Sequence, residues 1–136
     1  SQEIEQLKEY ATLEQMLKND SFAFEITLEP EIDQRIVIPT MLLQPIVENA
    51  IQHGTANKNA YVKVDISQST ESLICVVEDN GPGIKGEINE EQSHGIKLCK
   101  ERILELRTSL KKPFTLNWAN KTGTDTGVKV TVTIPK

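Results

Sequence analysis

The sequence is poor in the residues that characterise several common classes of protein. Aromatic residues make up only 4% of the chain, which argues against a nucleic-acid module that stacks bases on aromatic rings. Its two cysteines, Cys75 and Cys99, are too few for a disulfide framework or a cysteine-based metal cluster. A net charge of −5 at pH 7 disfavours a basic surface for DNA or anionic lipid. No apolar run approaches the roughly 18 residues that a membrane-spanning helix needs.

The composition that remains is that of a folded domain. The chain has 136 residues, of which 38% are hydrophobic and 26% are charged, a balance typical of one globular domain with a buried core. The low cysteine content favours a reducing, cytoplasmic setting. The chain opens in a charged helical pattern without a secretory leader, so we expect it to be part of a longer protein.

Hydrophobic periodicity predicts three helices and about five strands. Apolar residues recur at helical spacing over 2–19, 40–53 and 96–110. Alternating or continuous apolar runs, typical of strands, occur over 22–28, 62–66, 73–77, 114–118 and 128–134. Residues 85–94 are polar without a period, which predicts a loop. This order predicts an α+β fold, a two-layer α/β sandwich in which the helices cover one face of a mixed, mostly antiparallel sheet.

The first candidate site follows the third predicted strand. An acid, Asp79, ends that apolar run and is followed by Gly81 and Gly83. Glycine permits positive φ and a close approach of the backbone to a ligand. A carboxylate held at a strand end can accept a hydrogen bond from an exocyclic amine. The same composition is also that of a tight turn, which the segment taken alone favours.

The second candidate lies on the second predicted helix. Asn49 and His53 are four residues apart, so they share a helix face among apolar neighbours. An Asn side-chain oxygen is a suitable hard ligand for Mg²⁺. The alternative is a hydrogen-bonded core Asn with a His at the helix C-terminus. Pro45 lies inside this helical segment, which predicts either a kink there or a later start of regular helix.

The third candidate is the polar entry to the third predicted helix. Gly95 would open that helix, and a helix N-terminus with Lys97 beside it favours a phosphate. Many loops enter helices through Ser and Gly, so this segment alone is not specific.

In this order and spacing, the three segments resemble the GHKL ATP-binding fold shared by histidine kinases, gyrase, MutL and the heat-shock chaperone. They more closely resemble the catalytic domain of LytS-like sensor histidine kinases. Residues 38–54 (IPTMLLQPIVENAIQHG) are similar to that family's N box, and residues 77–84 (VEDNGPGI) to its first glycine box. Residues 100–103 (KERI) resemble the Arg-bearing helix after its second glycine box, and residues 127–130 (GVKV) its final strand.

The resemblance implies that the chain binds ATP at these boxes. Asp79 would accept a hydrogen bond from the adenine amine. Gly81 and Gly83, together with Ile84, would shape the floor of the pocket and the start of a lid.

The resemblance implies that Mg²⁺ and the phosphates lie at the other end of the site. Asn49 would bind Mg²⁺, and His53 would flank the nucleotide. Residues 85–94 would form the mobile lid. The helix facing the phosphates would begin with Gly95, Ile96 and Lys97.

The resemblance also implies an ATP-dependent protein histidine kinase. The γ-phosphoryl group would pass to a histidine on an upstream dimerisation domain, for relay to a response regulator. His53 and His94 are the only histidines, and neither lies in such a helix, so no phosphoacceptor is expected in this chain. We expect residues 1–20 to be the tail of the dimerisation and phosphoacceptor region, and residues 21–136 to be the ATP-binding domain. The full protein would be a homodimer anchored in the cell membrane, with this domain in the cytoplasm and no nucleic-acid partner.

Several positions depart from the family's pattern. Gln52 stands where Lys is common, and Leu98 where Asn is common. Val128 replaces a Thr that commonly supports adenine binding, and Ser93–His94 replaces part of the second glycine box. Lys97 would replace a lost phosphate contact. The departures leave two alternatives open: a GHKL nucleotide-binding or regulatory module with weakened catalysis, and an anti-sigma-factor-type serine kinase.

Overall fold

The computed structural model describes residues 2–18, 21–32, 38–39, 42–53, 59–81, 90–121 and 127–136, with the backbone alone for residues 2, 53 and 90–96. Within these residues it contains three helices and five strands. In chain order they are α1 (Gln2–Leu17), β1 (Phe22–Leu28), α2 (Gln44–His53), β2 (Ala60–Gln68), β3 (Ser72–Asp79), α3 (Glu90–Leu110), β4 (Thr115–Asn120) and β5 (Val128–Pro135).

The strands form one five-stranded sheet in the order β1-β2-β3-β5-β4. β1 and β2 are parallel, and every other neighbouring pair is antiparallel. Parallel neighbours need a crossover connection, and α2 lies between β1 and β2 in the chain. β3 is the middle strand, and its last residue, Asp79, pairs with Val62 of β2. The predicted mixed, mostly antiparallel sheet is therefore confirmed.

The core lies between the helices and one face of the sheet. Burial alternates along β3, and the side chains that face the helices are those of Leu73, Cys75, Val77 and Asp79. The helices contribute buried apolar residues to the same core: Ile4, Leu7 and Ala11 from α1, Ile46, Val47, Ala50 and Ile51 from α2, and Cys99, Ile103 and Leu106 from α3. We call the opposite side of the sheet the outer face. The predicted two-layer sandwich is confirmed.

Regular helix in α2 starts later than the predicted residue 40, as the internal proline implied. The carbonyl oxygen of Leu43 accepts from the N–H of Val47 at 3.0 Å, and α2 begins at Gln44. Pro45 thus occupies the first turn, where a backbone N–H has no partner within the helix, so its missing donor costs little.

α3 begins earlier than the sequence predicted. It spans Glu90–Leu110, so residues 90–94, predicted as loop, are helical. Gly95 consequently lies inside the helix and not at its start, which makes that prediction wrong. The first turn lacks an apolar stripe, but glutamate has high helix propensity and its charge is favourable near a helix N-terminus. Residues 85–89, the rest of the predicted lid, lie outside the described residues.

The other elements agree with prediction in type and differ in extent. β2 and β3 are longer than predicted and carry their pairing as far as Gln68 and Asp79. Leu110, the last residue of the apolar pattern over 96–110, is exposed at the end of α3. No helix among the described residues is both long and apolar enough to cross a membrane.

α1 packs onto the domain through its apolar side and through one polar contact. The side chain of Gln15 donates to the carbonyl oxygen of Phe22 at 3.1 Å, which links α1 to β1. The hydroxyl of Tyr10 is hydrogen-bonded to Gln52 of α2 and lies near the charge of Glu48. Burial, with the charges of Glu14 and Glu48, raises the pKa of Tyr10 to about 12. α1 is therefore joined to α2 by a polar contact at the edge of the core.

Candidate functional site

Asp79 is a buried acid at the end of the middle strand. Only 5% of its surface is exposed, and its side chain lies on the helix face of the sheet. Its Oδ1 accepts from the backbone N–H of Gly81 at 2.9 Å and from that of Val128 at 3.3 Å. The first bond closes the turn after β3, and the second reaches the start of β5. The carboxylate is thus fixed by backbone donors from two segments that are distant in sequence.

The charge state of Asp79 reflects opposing influences. Burial is the largest and raises the pKa of the carboxyl above its ordinary value, because a charge is disfavoured away from water. The N–H groups of Gly81 and Val128 and the positive charge of Lys121 act in the opposite direction. A buried carboxylate with backbone donors on one oxygen is suited to recognise a polar N–H group of a ligand.

Gly127 packs directly against the backbone of Asp79. Its φ is 120°, and a Cβ built on it would lie 2.0 Å from the carbonyl oxygen of Asp79 and 3.0 Å from Cα of Asn80. A side chain here would therefore strike backbone atoms that belong to the central sheet. The sequence places Gly127 in the final-strand motif and gives no sign that it belongs to the site. A glycine directly before an alternating strand was the only signal available.

Asn80 anchors the turn that follows Asp79. Its Oδ1 accepts from the backbone N–H of Tyr61 at 2.8 Å, and its Nδ2 donates to the carbonyl oxygen of Asn59 at 3.0 Å. Asn59 has a φ of 61°, a left-handed conformation that Asn tolerates better than most residues. Both bonds join the end of β3 to the start of β2. The strand end that carries Asp79 is consequently fixed on both sides.

The predicted Asn49 and His53 both lie on α2, which packs on the same face of the sheet as Asp79. Asn49 is half-buried and borders the buried stripe of the helix. Both residues fall within this one helix, and the side chain of His53 lies outside the described residues. The structure thus brings Asn49 and Asp79 to one side of the sheet.

The remaining predicted residues divide between α3 and the segment before it. Gly95 and Ile96 lie within α3, and Lys97, on the same helix, is exposed. The side chain of Lys97 is therefore accessible to a ligand, but Lys97 does not lie at a helix N-terminus as predicted. Gly81 is buried beside Asp79, whereas Gly83 and Ile84 lie outside the described residues.

The positions that depart from the family pattern have structural settings of their own. The side chain of Gln52, on the exposed side of α2, is hydrogen-bonded to Tyr10 of α1. The backbone N–H of Val128 donates to the Asp79 carboxylate, a bond that does not depend on the Val128 side chain. Leu98 is 40% exposed, so an apolar side chain there adds little to the core.

Comparisons with known proteins identify the family of the chain. Residues 35–136 match the family described as histidine kinase-, DNA gyrase B-, and HSP90-like ATPase. The chain is 27% identical to the sensor histidine kinase YesM of Bacillus subtilis, over 98% of this chain and 23% of YesM. It is 30% identical to the sensor histidine kinase/phosphatase LytS of Staphylococcus aureus, over 74% of this chain and 19% of LytS. The chain therefore spans less than a quarter of the length of these relatives.

Solved structures share the fold. The catalytic domain of histidine kinase ThkA is similar with a TM-score of 0.70 at 20% sequence identity, over 98% of this chain and 95% of that chain. The structure of ThkA in complex with the response regulator protein TrrA has the same TM-score of 0.70, over 99% of this chain and 40% of that chain.

Proposed function

We propose that this chain, which belongs to the histidine kinase-, DNA gyrase B- and HSP90-like ATPase family, is the ATP-binding catalytic domain of a sensor histidine kinase. The observation that carries the proposal is the buried Asp79 carboxylate, fixed by two backbone N–H groups at the end of the middle strand and facing the side of the sheet that holds α2. The two bonds to Oδ1 close the turn and tie β5, and the proposal assigns the other oxygen, Oδ2, to recognition of adenine.

In this proposal Asp79 recognises the adenine base by a hydrogen bond. Its Oδ1 is bonded to Gly81 and Val128, so acceptance of the exocyclic amine falls to the other oxygen, Oδ2. Gly81 and Gly83 would line the base, and Ile84 would follow at the start of the lid. The low exposure of Asp79 favours discrimination, because a base that lacks the matching donor would leave a buried charge without a partner.

The phosphate end would lie along α2 and α3. The half-buried amide of Asn49 is a hard oxygen donor of the kind that Mg²⁺ takes, usually together with phosphate oxygens and water. Among the described residues there is no group of three or more His, Cys, Asp or Glu that could hold a metal by itself. This donor set fits a Mg²⁺ ion carried by the nucleotide, which when bound would neutralise charge on the phosphates. His53 and the α3 residues Gly95, Ile96 and Lys97 would flank the phosphates.

We further propose that the phosphoryl group passes to a histidine on a dimerisation domain, with residues 1–20 as the tail of that region and 21–136 as the ATP-binding domain. Catalysis would then consist mainly of positioning and charge neutralisation, without a covalent intermediate on this chain. The packing of α1 on α2 and β1 would transmit the position of the dimerisation helices to the nucleotide site. The complex of ThkA with TrrA supports relay to a response regulator. Homodimerisation and membrane anchoring of the full protein belong to the same proposal.

Calorimetric titration with ATP and Mg²⁺ tests the nucleotide site. We expect the wild type to bind and Asp79→Asn to bind roughly 10- to 100-fold more weakly, the size of effect for a hydrogen bond to a charged group. Asp65→Asn is the matched control, because Asp65 is exposed on the outer face of β2 and should leave affinity unchanged. Equal affinity of the wild type and Asp79→Asn would contradict the assigned role.

A second experiment separates the kinase from its alternatives. A longer protein that includes the upstream region should incorporate labelled phosphate from ATP into an acid-labile phosphohistidine. ATP binding without phosphorylation would favour the regulatory module. Acid-stable phosphoserine on a partner would favour the serine kinase.

A further inference from the structure

A polar cluster lies on the outer face of the sheet, behind Asp79. It consists of Tyr61, Glu78 and Lys121, and we call it the outer-face cluster. Nζ of Lys121 donates to the Tyr61 hydroxyl at 2.7 Å and lies 3.3 Å from Oε2 of Glu78. The same Nζ lies 4.9 Å from the centre of the Tyr61 ring. The side chains of Lys121 and Glu78 are only 12% and 24% exposed, so water screens their interaction less than that of a surface ion pair.

Each member of the cluster is tied to the backbone that fixes Asp79. Glu78 precedes Asp79 in β3 and points to the other face because side chains alternate along a strand. The backbone N–H of Tyr61 donates to the side chain of Asn80, the residue after Asp79. The backbone N–H of Lys121 donates to the carbonyl oxygen of Gly127 at 2.9 Å. Lys121 therefore joins β2, β3 and the start of β5 at the point where Asp79 lies.

The same segment holds the second donor to the carboxylate. Gly127 lies against the Asp79 backbone, and the next residue, Val128, donates its N–H to Oδ1. A shift of the Lys121 backbone would move this donor directly, because the two are joined through Gly127. No catalytic contact between Lys121 and the nucleotide is needed for this effect.

We propose that Lys121 is a positioning residue for the adenine end of the nucleotide site, acting through the sheet from the opposite face. It would hold the strand ends that orient Asp79 and would place a positive charge behind the carboxylate. This inference rests on the proposed function, since it assigns how that site is kept in its binding-competent form.

Electrostatics support the assignment. The charge of Lys121 lowers the pKa of Asp79, whereas burial, the larger influence, and the charge of Glu78 raise it. Burial by itself would lower the pKa of Lys121, but its hydrogen bonds to Tyr61 and Glu78 outweigh burial and raise that pKa above its ordinary value, which keeps the amine protonated.

Other charged groups face this region from neighbouring strands. Lys63 of β2 and Lys129 of β5 flank Glu78 in the register, and the amine of Lys63 lies 5.0 Å from the Tyr61 ring. On the helix side, Glu48 of α2 acts on Tyr10 of α1. Among the described groups, Lys121 and Glu78 are those whose charges act on Asp79.

The test compares ATP affinity in the presence of Mg²⁺ for Lys121→Met, Lys121→Arg and the wild type between pH 6 and 8. We expect Lys121→Met to weaken ATP binding roughly three- to thirtyfold. Lys121→Met removes a charge that lowers the pKa of Asp79, so the loss should be at least as large at pH 6 as at pH 8. Lys121→Arg keeps the charge and should restore most of the affinity. Lys112→Met is the matched control and should bind like the wild type, because Lys112 is exposed and contacts Lys136, past the end of β5 that lies away from Asp79. The ratio of variant to wild type at each pH cancels the titration of ATP itself.

A second variant keeps the inference testable if Lys121→Met unfolds. Glu78→Gln retains a hydrogen-bond partner for Lys121 but removes a charge that raises the pKa of Asp79. Binding by Glu78→Gln should equal or exceed that of the wild type at pH 6, an effect opposite in sign to that of Lys121→Met. Wild-type affinity in Lys121→Met at every pH, or equal weakening in Glu78→Gln, would overturn the inference. Failure of the wild type itself to bind ATP would instead count against the proposed function.

Discussion

Replacing Gly127 by alanine probes the contact that couples the last strand to Asp79. The backbone of Gly127 has a φ of 120°, a region that residues with a Cβ rarely adopt. The added Cβ would also lie 2.0 Å from the carbonyl oxygen of Asp79 and 2.7 Å from its carbonyl carbon. These are backbone atoms of the middle strand and cannot move aside as a flexible side chain would.

The structure sets the size of the effect. An unfavourable φ costs about 1–3 kcal/mol, and forcing extra volume into a packed region costs a similar amount. Together they predict a loss of roughly 3 kcal/mol or more in the free energy of unfolding, or about 12 °C in Tm for a chain of this length. Because relief of the clash must displace Asp79 or Val128, ATP affinity should fall by roughly tenfold or more.

Urea unfolding followed by circular dichroism measures the stability, and calorimetry with ATP and Mg²⁺ measures the site. Lys111→Ala is the control, since Lys111 is exposed, also has a positive φ of 53°, and already carries a Cβ. It should change stability by less than about 0.5 kcal/mol. A Gly127→Ala protein with the urea midpoint and ATP affinity of the wild type would refute the close-packing argument.

Three further predictions concern titratable groups. Burial raises the pKa of Asp79, so ionised Asp79 destabilises the folded chain above that pKa, and this destabilisation disappears as the pH falls through the pKa. Asp79→Asn should therefore have a higher urea midpoint than the wild type at pH 7, and the difference should shrink towards pH 4. Burial raises the pKa of both Cys75 and Cys99 to about 12, so Ellman's reagent should label neither thiol at pH 8 until urea unfolds the chain. Rapid labelling of the native protein would contradict the burial of these cysteines. Spectrophotometric titration should detect a tyrosine with a pKa of about 12 that is absent from Tyr10→Phe; an unchanged titration curve would show that another group is responsible. Because Tyr10→Phe loses the hydrogen bond to Gln52, its free energy of unfolding should fall by about 1 kcal/mol.

The sequence by itself determined the kinds of element and singled out Asp79 as an acid at the end of a strand. Alternation of apolar residues over 128–134 and the run ending at Asp79 predict strands, because side chains of a strand point to opposite faces in turn. Pro45 predicted either a kink or a late start of α2, because proline lacks a backbone donor, and α2 starts at Gln44. Local chemistry sufficed for each of these features.

The sequence pattern gave the wrong start for α3, because the interactions that favour helix there leave no hydrophobic periodicity. The first turn of α3 carries no apolar stripe, so periodicity predicts a helix start at Gly95, whereas the helix begins at Glu90. Glutamate propensity and the helix dipole favour helix there without leaving a hydrophobic pattern.

Only the tertiary structure decided how Asp79 is held. The donor from Val128, the packing of Gly127 and the ion pair between Glu78 and Lys121 join residues more than 40 positions apart, which the antiparallel register of β3 and β5 brings together. No local pattern encodes such contacts, because they depend on which strands become neighbours in the sheet. The sequence therefore identified the acid at the strand end, and the sheet order determined its burial, the groups that hold it and its charge.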